Sequence, residues 1–195
     1  MMDVRPVTLE GRHARLEPVS RDHVDGFLRA GAFDEIWTWF PIHPKTREDY
    51  ERWVDDSLAC LAAGTDLSFA IIEQVSGDVV GATSLLAISV PNRRVEIGGT
   101  WLTPRVQRTA INTECKYLLL RHCFETLGCL RVELKTDARN LNSQRAIERI
   151  GAVREGVLRD HMLMPDGHVR SSVYYSILAR EWPAVKARLE ELLKA

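Results

Sequence analysis

Residues Gln107-Arg108-Thr109-Ala110-Ile111-Asn112-Thr113 lie between a strand-like run and a helical one. Their small or polar side chains lead into a helix expected to start near Thr113. The first N–H groups of such a helix lack intrahelical partners and sit at the positive end of its dipole, so the turn can hold an anion such as a phosphate. Arg108 adds a donor for a charge-assisted bond. Upstream, Val95-Glu96-Ile97-Gly98-Gly99-Thr100-Trp101-Leu102 reads as a strand with two interior glycines. Glycine inside a strand marks a bulge or the close approach of a ligand or another backbone. Downstream, Asn140-Leu141-Asn142-Ser143 stands between a second strand and a second helix. The stretch from Thr100 to Gly151 is therefore the chemical centre of the chain.

Other chemistries find little support. His13, His23, His43 and His161 have no carboxylate or cysteine at a ligand spacing, so no metal is expected. There is no G-x-S-x-G elbow, P-loop or dinucleotide fingerprint. The four cysteines (Cys60, Cys115, Cys123 and Cys129) form no C-x-x-C pair and read as packing residues. With 26 Lys and Arg against 27 Asp and Glu the formal charge is -1, which argues against a nucleic-acid platform. No apolar run approaches the roughly 20 residues of a membrane span. The N-terminus lacks the apolar region of a secretory signal, so the expected home is the cytoplasm.

The elements that must position these residues follow from periodicity. A strand is expected within 8–19, then a helix capped by Ser20 with Val24, Phe27 and Leu28 on one face. Thr46 and Asp49 form a capping box for a helix carrying Tyr50, Trp53, Val54, Leu58 and Leu61. Leu67–Glu73 and Val79–Ile88 flank a turn as a hairpin. Beyond the glycine-bearing strand come a helix over 113–126, a strand over Arg131–Asp137 and a helix over Ser143–Ile150. A hairpin from Val153 to Leu178 turns at Met-Pro-Asp-Gly-His, and a last helix starts at Pro183. The order β-α-α-β-β-β-α-β-α-β-β-α, without repeat or linker, implies one mixed α+β domain over residues 1–195.

The ordered motifs resemble the acyl-CoA-binding core of the GNAT N-acetyltransferases, and within them the RimJ/RimL-like branch. The family's Q/R-x-x-G-x-G/A loop lies over Gln107, Ala110 and Asn112. Asn140-Leu141-Asn142-Ser143 resembles the branch's N-x-x-S, and Arg149-Ile150-Gly151-Ala152 its K/R-x-G-F/A ending. Glu155–Arg159, the Pro-Asp-Gly turn, Val173–Leu178 and Val95–Gly98 also match, so the resemblance spans about 7–182 in order. It implies a GNAT-like, mostly antiparallel twisted sheet with helices on both faces and a V-shaped cleft between the family's fourth and fifth strands. Both loop glycines are replaced, by Ala110 and Asn112. Glycine there would reach φ > 0 freely, whereas asparagine is the side chain most at ease in that region.

The resemblance further implies acetyl-CoA as co-substrate and a primary amine as acceptor, either a protein N-terminus or a small molecule. The cofactor would lie against Trp101, Leu102, Thr103, Gln107, Arg108, Thr109, Ala110, Ile111, Asn112, Thr113, Asn140 and Ser143. Glu96 is the candidate base; period two places it on one face with Gly98 and Thr100. It equally fits a surface glutamate beside Arg93 or Arg94. Ser143 is the candidate acid toward the sulfur, or else the cap of the following helix. Trp37, Trp39 and Phe40 are expected either as an acceptor wall or as a core plug. Of Tyr174 and Tyr175 only one can face the cleft, and Tyr174 is preferred. The missing glycines keep a second reading open, an acyl-CoA-binding or interaction module with little turnover. A homodimer through the C-terminal helix or a strand edge is also left open.

Overall fold

The structure is a computed structural model and describes residues 2–194. One eight-stranded sheet runs in the order β1-β2-β3-β4-β5-β6-β8-β7. Its strands are β1 (Leu9–Glu10), β2 (Ala14–Pro18), β3 (Leu67–Glu73), β4 (Val79–Ser89), β5 (Arg94–Leu102), β6 (Arg131–Asp137), β7 (Val153–Leu163) and β8 (Val169–Leu178). Every neighbouring pair is antiparallel except β5 and β6. The helices are α1 (Val24–Ala30), α2 (Arg47–Ala63), α3 (Ala110–Arg121), α4 (Leu141–Arg149) and α5 (Trp182–Leu192).

The sheet carries a core on each face. On one, Phe27 of α1 and Tyr50 and Val54 of α2 pack with Trp37, Ala70, Ala82 and Trp101. On the other, Cys115, Leu118 and Leu119 of α3, Ile147 of α4 and Val185 and Leu189 of α5 pack with Ile71, Leu85, Ile97, Leu134 and Ile177. Burial of that many aliphatic and aromatic side chains on two faces is the dominant stabilising term. The Thr46–Asp49 box caps α2 as expected, and Gly64 closes it in the left-handed region.

Two expectations shift. The first strand is split into β1 and β2 by a turn at Gly11–His13, because the buried carboxylate of Glu114 gathers that turn's backbone. It accepts from the N–H groups of Arg12 (2.8 Å), His13 (2.6 Å) and Ala14 (2.7 Å). A side chain at position 11 would collide with Glu114, which accounts for the glycine. The third helix begins at Ala110 rather than Thr113, since Thr109 is its cap and accepts from the Ile111 N–H. It ends in a π turn, His122–Thr126.

Glu114 therefore locks α3 to the edge of the sheet, and α3 in turn carries the loop of interest. Glu114→Ala should strand three backbone donors and lower unfolding free energy by about 2–4 kcal/mol in urea denaturation. Glu114→Gln, keeping one acceptor, should lose less.

Candidate active site

β5 and β6 pair only over three positions, Arg94 with Arg131, Val95 with Val132 and Glu96 with Glu133. Beyond Glu96 they part, while β5 stays paired to β4 as far as Leu102. The β5 backbone facing β6 is thus left without ladder partners over the stretch that opens the cleft. The cleft has a volume of about 1020 Å³ and reaches residues of α2, α3, β5, β6, α4 and the β7–β8 hairpin.

A bulge at Gly98–Gly99 divides the two sides of this cleft. Ala82 and Ser84, two apart on β4, face Trp101 and Gly98, three apart on β5, and Gly99 takes φ +58°. The extra residue reverses the pleat. Trp101 consequently points to the α2 face, 6.0 Å from Phe27 and 5.1 Å from Trp37 between ring centroids. Thr100 points to the α3 face, where it accepts from Lys116 Nζ at 2.7 Å. The simple period-two placement of Glu96 and Thr100 on one face is therefore corrected.

On the α2 face, Glu96 is 4% exposed, and its Oε2 lies 3.0 Å from Lys135 Nζ. A side chain at Gly98 would come within 2.8 Å of Glu96 Oε1, so glycine leaves room beside the carboxylate. Trp39, Phe40 and Trp53 wall the cleft there, with the Arg139 guanidinium 5.3 Å above the Trp39 ring. Arg139 also pairs with buried Asp137, at 3.1 Å between Nη2 and Oδ2. Arg170, from the start of β8, reaches the same floor.

On the α3 face, Asn112 and Lys116 sit one helical turn apart and both line the cleft. Asn112 Oδ1 is buried without a hydrogen-bond partner. Lys116 is 9% exposed, and burial lowers its ammonium pKa to about 8. Asn140 caps α4, its Oδ1 accepting from the Ser143 N–H at 3.0 Å, so the cap is Asn140 and Ser143 is free of that duty. Ser143 lines the cleft, and its hydroxyl has no hydrogen-bond partner among the described residues.

Residues 13–153 match the family described as an acetyltransferase (GNAT) domain. The chain belongs to the GNAT acetyltransferase family. It is 30% identical over 151 residues to the provisionally named ribosomal N-acetyltransferase YdaF of Bacillus subtilis, covering 77% of this chain and 80% of that one. Among solved structures it resembles a GCN5-related N-acetyltransferase from Brucella melitensis, with 33% identity, a TM-score of 0.90 and coverage of 97% and 86%. It shares its fold with RimJ of Mycobacterium smegmatis, solved with CoA-disulfide, at 21% identity, a TM-score of 0.85 and coverage of 96% and 95%.

Within this GNAT domain the sequence-derived residues fall into three groups. Glu96, Trp101, Leu102, Gln107, Asn112, Asn140, Ser143, Trp39 and Phe40 all line the cleft. Gln107 does so while donating to the Leu102 carbonyl at 2.9 Å, which holds the turn after β5. A second group supports the turn. Thr103 donates its N–H to Val80, Thr113 Oγ1 accepts from Arg149, and Ile111 is buried in the core. Arg108, Thr109 and Ala110 form the mouth of α3. Arg108 takes φ +61°, so the left-handed position of the loop is Arg108; Ala110 and Asn112 are helical. Glycine at either would bring no backbone freedom that the loop uses. A third group lies behind the walls. Trp37 is buried and donates to the Gly31 carbonyl at 2.9 Å, and Tyr174 stacks behind Lys135 at 6.0 Å. Tyr175 points to the opposite face and donates to Glu148 at 3.0 Å.

Lys116, Lys135 and Arg170 were not singled out from sequence. Lys135 alternates with apolar neighbours like any strand lysine, and Lys116 falls within an apolar helical run. Among the described residues no cluster of His, Cys, Asp and Glu could hold a metal ion. No helix there is long and apolar enough to cross a membrane.

The buried ammonium has a measurable consequence. Its pKa is lower in the folded state than the ordinary 10.5, so the folded chain resists protonation more than the unfolded one. The cost to stability is full below pH 8 and fades as pH rises toward 10.5. Lys116→Met should accordingly raise unfolding free energy at pH 7 by on the order of 2–3 kcal/mol. That gain should shrink steadily between pH 8 and 10.5 in denaturation curves.

Proposed function

We propose that this acetyltransferase moves an acetyl group from acetyl-CoA directly to a primary amine within a ternary complex. The observation that carries the reading is a cleft passing through the sheet where β5 leaves β6. It has a buried carboxylate on the α2 face and unpartnered polar atoms on the α3 face. Such a cleft admits two reactants from opposite sides and brings them together at the end of the parallel pairing. The acceptor is a protein N-terminus or a small-molecule amine; the name of YdaF, which refers to ribosomal N-acetylation, favours the former. The cytoplasm fits either acceptor.

The residues present suit the co-substrate's chemistry. The mouth of α3 offers N–H groups and Arg108 to phosphate oxygens. The unpaired β5 backbone near Trp101 offers donors and acceptors to an extended arm that carries amides. Asn112 Oδ1 and the spare N–H groups of Lys116 form an acceptor–donor pair, which is what an amide requires. When bound, acetyl-CoA supplies an activated thioester.

The protein's own groups then manage protons. Glu96, oriented by Lys135, takes a proton from the acceptor's ammonium through water, leaving a neutral nitrogen able to attack. Ser143 Oγ holds the proton that the departing sulfur needs. Trp39, Phe40 and Trp53 exclude water from the α2 side, which strengthens each of these electrostatic interactions.

Three measurements test the reading. Initial-rate patterns with both substrates varied should intersect; parallel lines would point to a covalent acetyl-enzyme instead. Glu96→Gln should lower kcat by about 10²-fold or more while leaving acetyl-CoA affinity nearly unchanged in calorimetry. Unaltered turnover would remove Glu96 as the base. Lys116→Met should weaken acetyl-CoA binding by roughly tenfold, the loss of one charge-assisted bond. That is a loss of function from the same change that should stabilise the fold.

A further inference from the structure

On the α2 face Glu96, Lys135 and Arg170 line the cleft, and the Asp137–Arg139 pair lies at the end of β6 beside them. Glu96 is paired with Lys135. Asp137 is held by Arg139, which binds it through Nη2 (3.1 Å), Nε (3.2 Å) and its backbone N–H (2.8 Å). Arg170 is left over. It is 6% exposed, yet its only hydrogen bond among the described residues runs from Nε to Ser172 Oγ at 3.1 Å. The remaining guanidinium N–H groups have no acceptor among the described residues and are not sealed off, opening instead on the cleft that the residue lines. Burial lowers the pKa of this guanidinium, although Asp137, Glu96 and Tyr174 oppose the shift.

A guanidinium withdrawn this far from water favours an anionic partner on its free N–H groups, and the nearby Asp137 and Glu96 act on it through their charge without hydrogen-bonding it. The other carboxylates lining the cleft make no ion pair with it. Glu35 and Asp56 are exposed, and Asp66 Oδ1 accepts from the Ala87 N–H at 2.8 Å. The planar fork of arginine matches an oxyanion bidentately.

We propose that Arg170 anchors an oxyanion carried by the acceptor, so that the substrate is an amine bearing a carboxylate or phosphate. This rests on the amine-acetylation reading above. The amine is placed toward Glu96 and the oxyanion toward Arg170, which orients the acceptor across the floor of the cleft. Ser172, held by His161 Nδ1 at 3.0 Å, fixes the guanidinium in turn. Met162, which pairs with Arg170 across the β7–β8 hairpin, lines the cleft beside it.

The test compares kcat/KM across matched acceptors with acetyl-CoA saturating. A homologous series of ω-amino acids is set against the corresponding amides and against phosphoethanolamine. Peptides beginning with Asp are set against the same peptides beginning with Asn. The wild-type protein should favour an anionic acceptor by roughly 10- to 100-fold over its neutral partner, and which arm shows it identifies the source of the oxyanion. Arg170→Gln should collapse that ratio toward one, and Arg170→Lys should restore part of it. Acetyl-CoA binding by each variant separates loss of selectivity from loss of fold. If a variant does not fold, the wild-type ratio alone decides. Turnover indifferent to acceptor charge, or a ratio unchanged in Arg170→Gln, overturns the assignment. No turnover of any amine by a protein that binds acetyl-CoA overturns the proposed function itself, and this inference with it.

Discussion

The parallel pairing of β5 with β6 stops at Glu96, and the rest of the site depends on that stop. A strand whose ladder partner leaves it must satisfy its backbone elsewhere. β5 remains tied to β4 on one side, so the gap opens on the other and stays open. A continuous pair would leave no space for a ligand between the strands. The break therefore converts an ordinary mixed sheet into one with a passage from face to face.

The Gly98–Gly99 bulge gives that passage two chemically different ends. By adding one residue to β5 it sends Trp101 into the aromatic core with Phe27 and Trp37, and Thr100 toward Lys116. The α2 face receives Glu96, Lys135 and the aromatic wall, while the α3 face receives a lysine, an asparagine and a helix mouth. Neither glycine is ornamental. Gly99 tolerates φ +58°, and Gly98 keeps the space that a side chain would take from Glu96.

The site is also held at a distance. Glu114 binds the β1–β2 turn to α3, Arg149 binds Thr113, and Tyr175 binds Glu148 of α4. These contacts fix the two helices whose N-termini open on the cleft. Against them stands the buried ammonium of Lys116, which costs stability below pH 8 and is retained at the cleft wall. Stability surrendered at one residue that lines a cleft is a common signature of function.

Sequence alone determined most of the elements, their order and the resemblance to the family, because apolar periodicity, caps and turn residues act over a few neighbours; it ran β1 and β2 together and began α3 three residues late. It also pointed, through local motifs, to Glu96, Asn112, Asn140 and Ser143, all of which line the cleft. It did not determine the faces. A strand's alternation can be read only if no residue is inserted, and the bulge in β5 moved Thr100 to the side opposite Glu96. Nor could it tell which position in the loop is left-handed; the motif pointed to Ala110 and Asn112, and the backbone placed that strain at Arg108. The pair Glu96–Lys135 joins side chains of two strands 39 residues apart, and Arg170, which has no ion pair beside them among the described residues, comes from a third strand. Charge balance inside a cleft depends on which side chains share the same low-dielectric space, and only the packed sheet decides that.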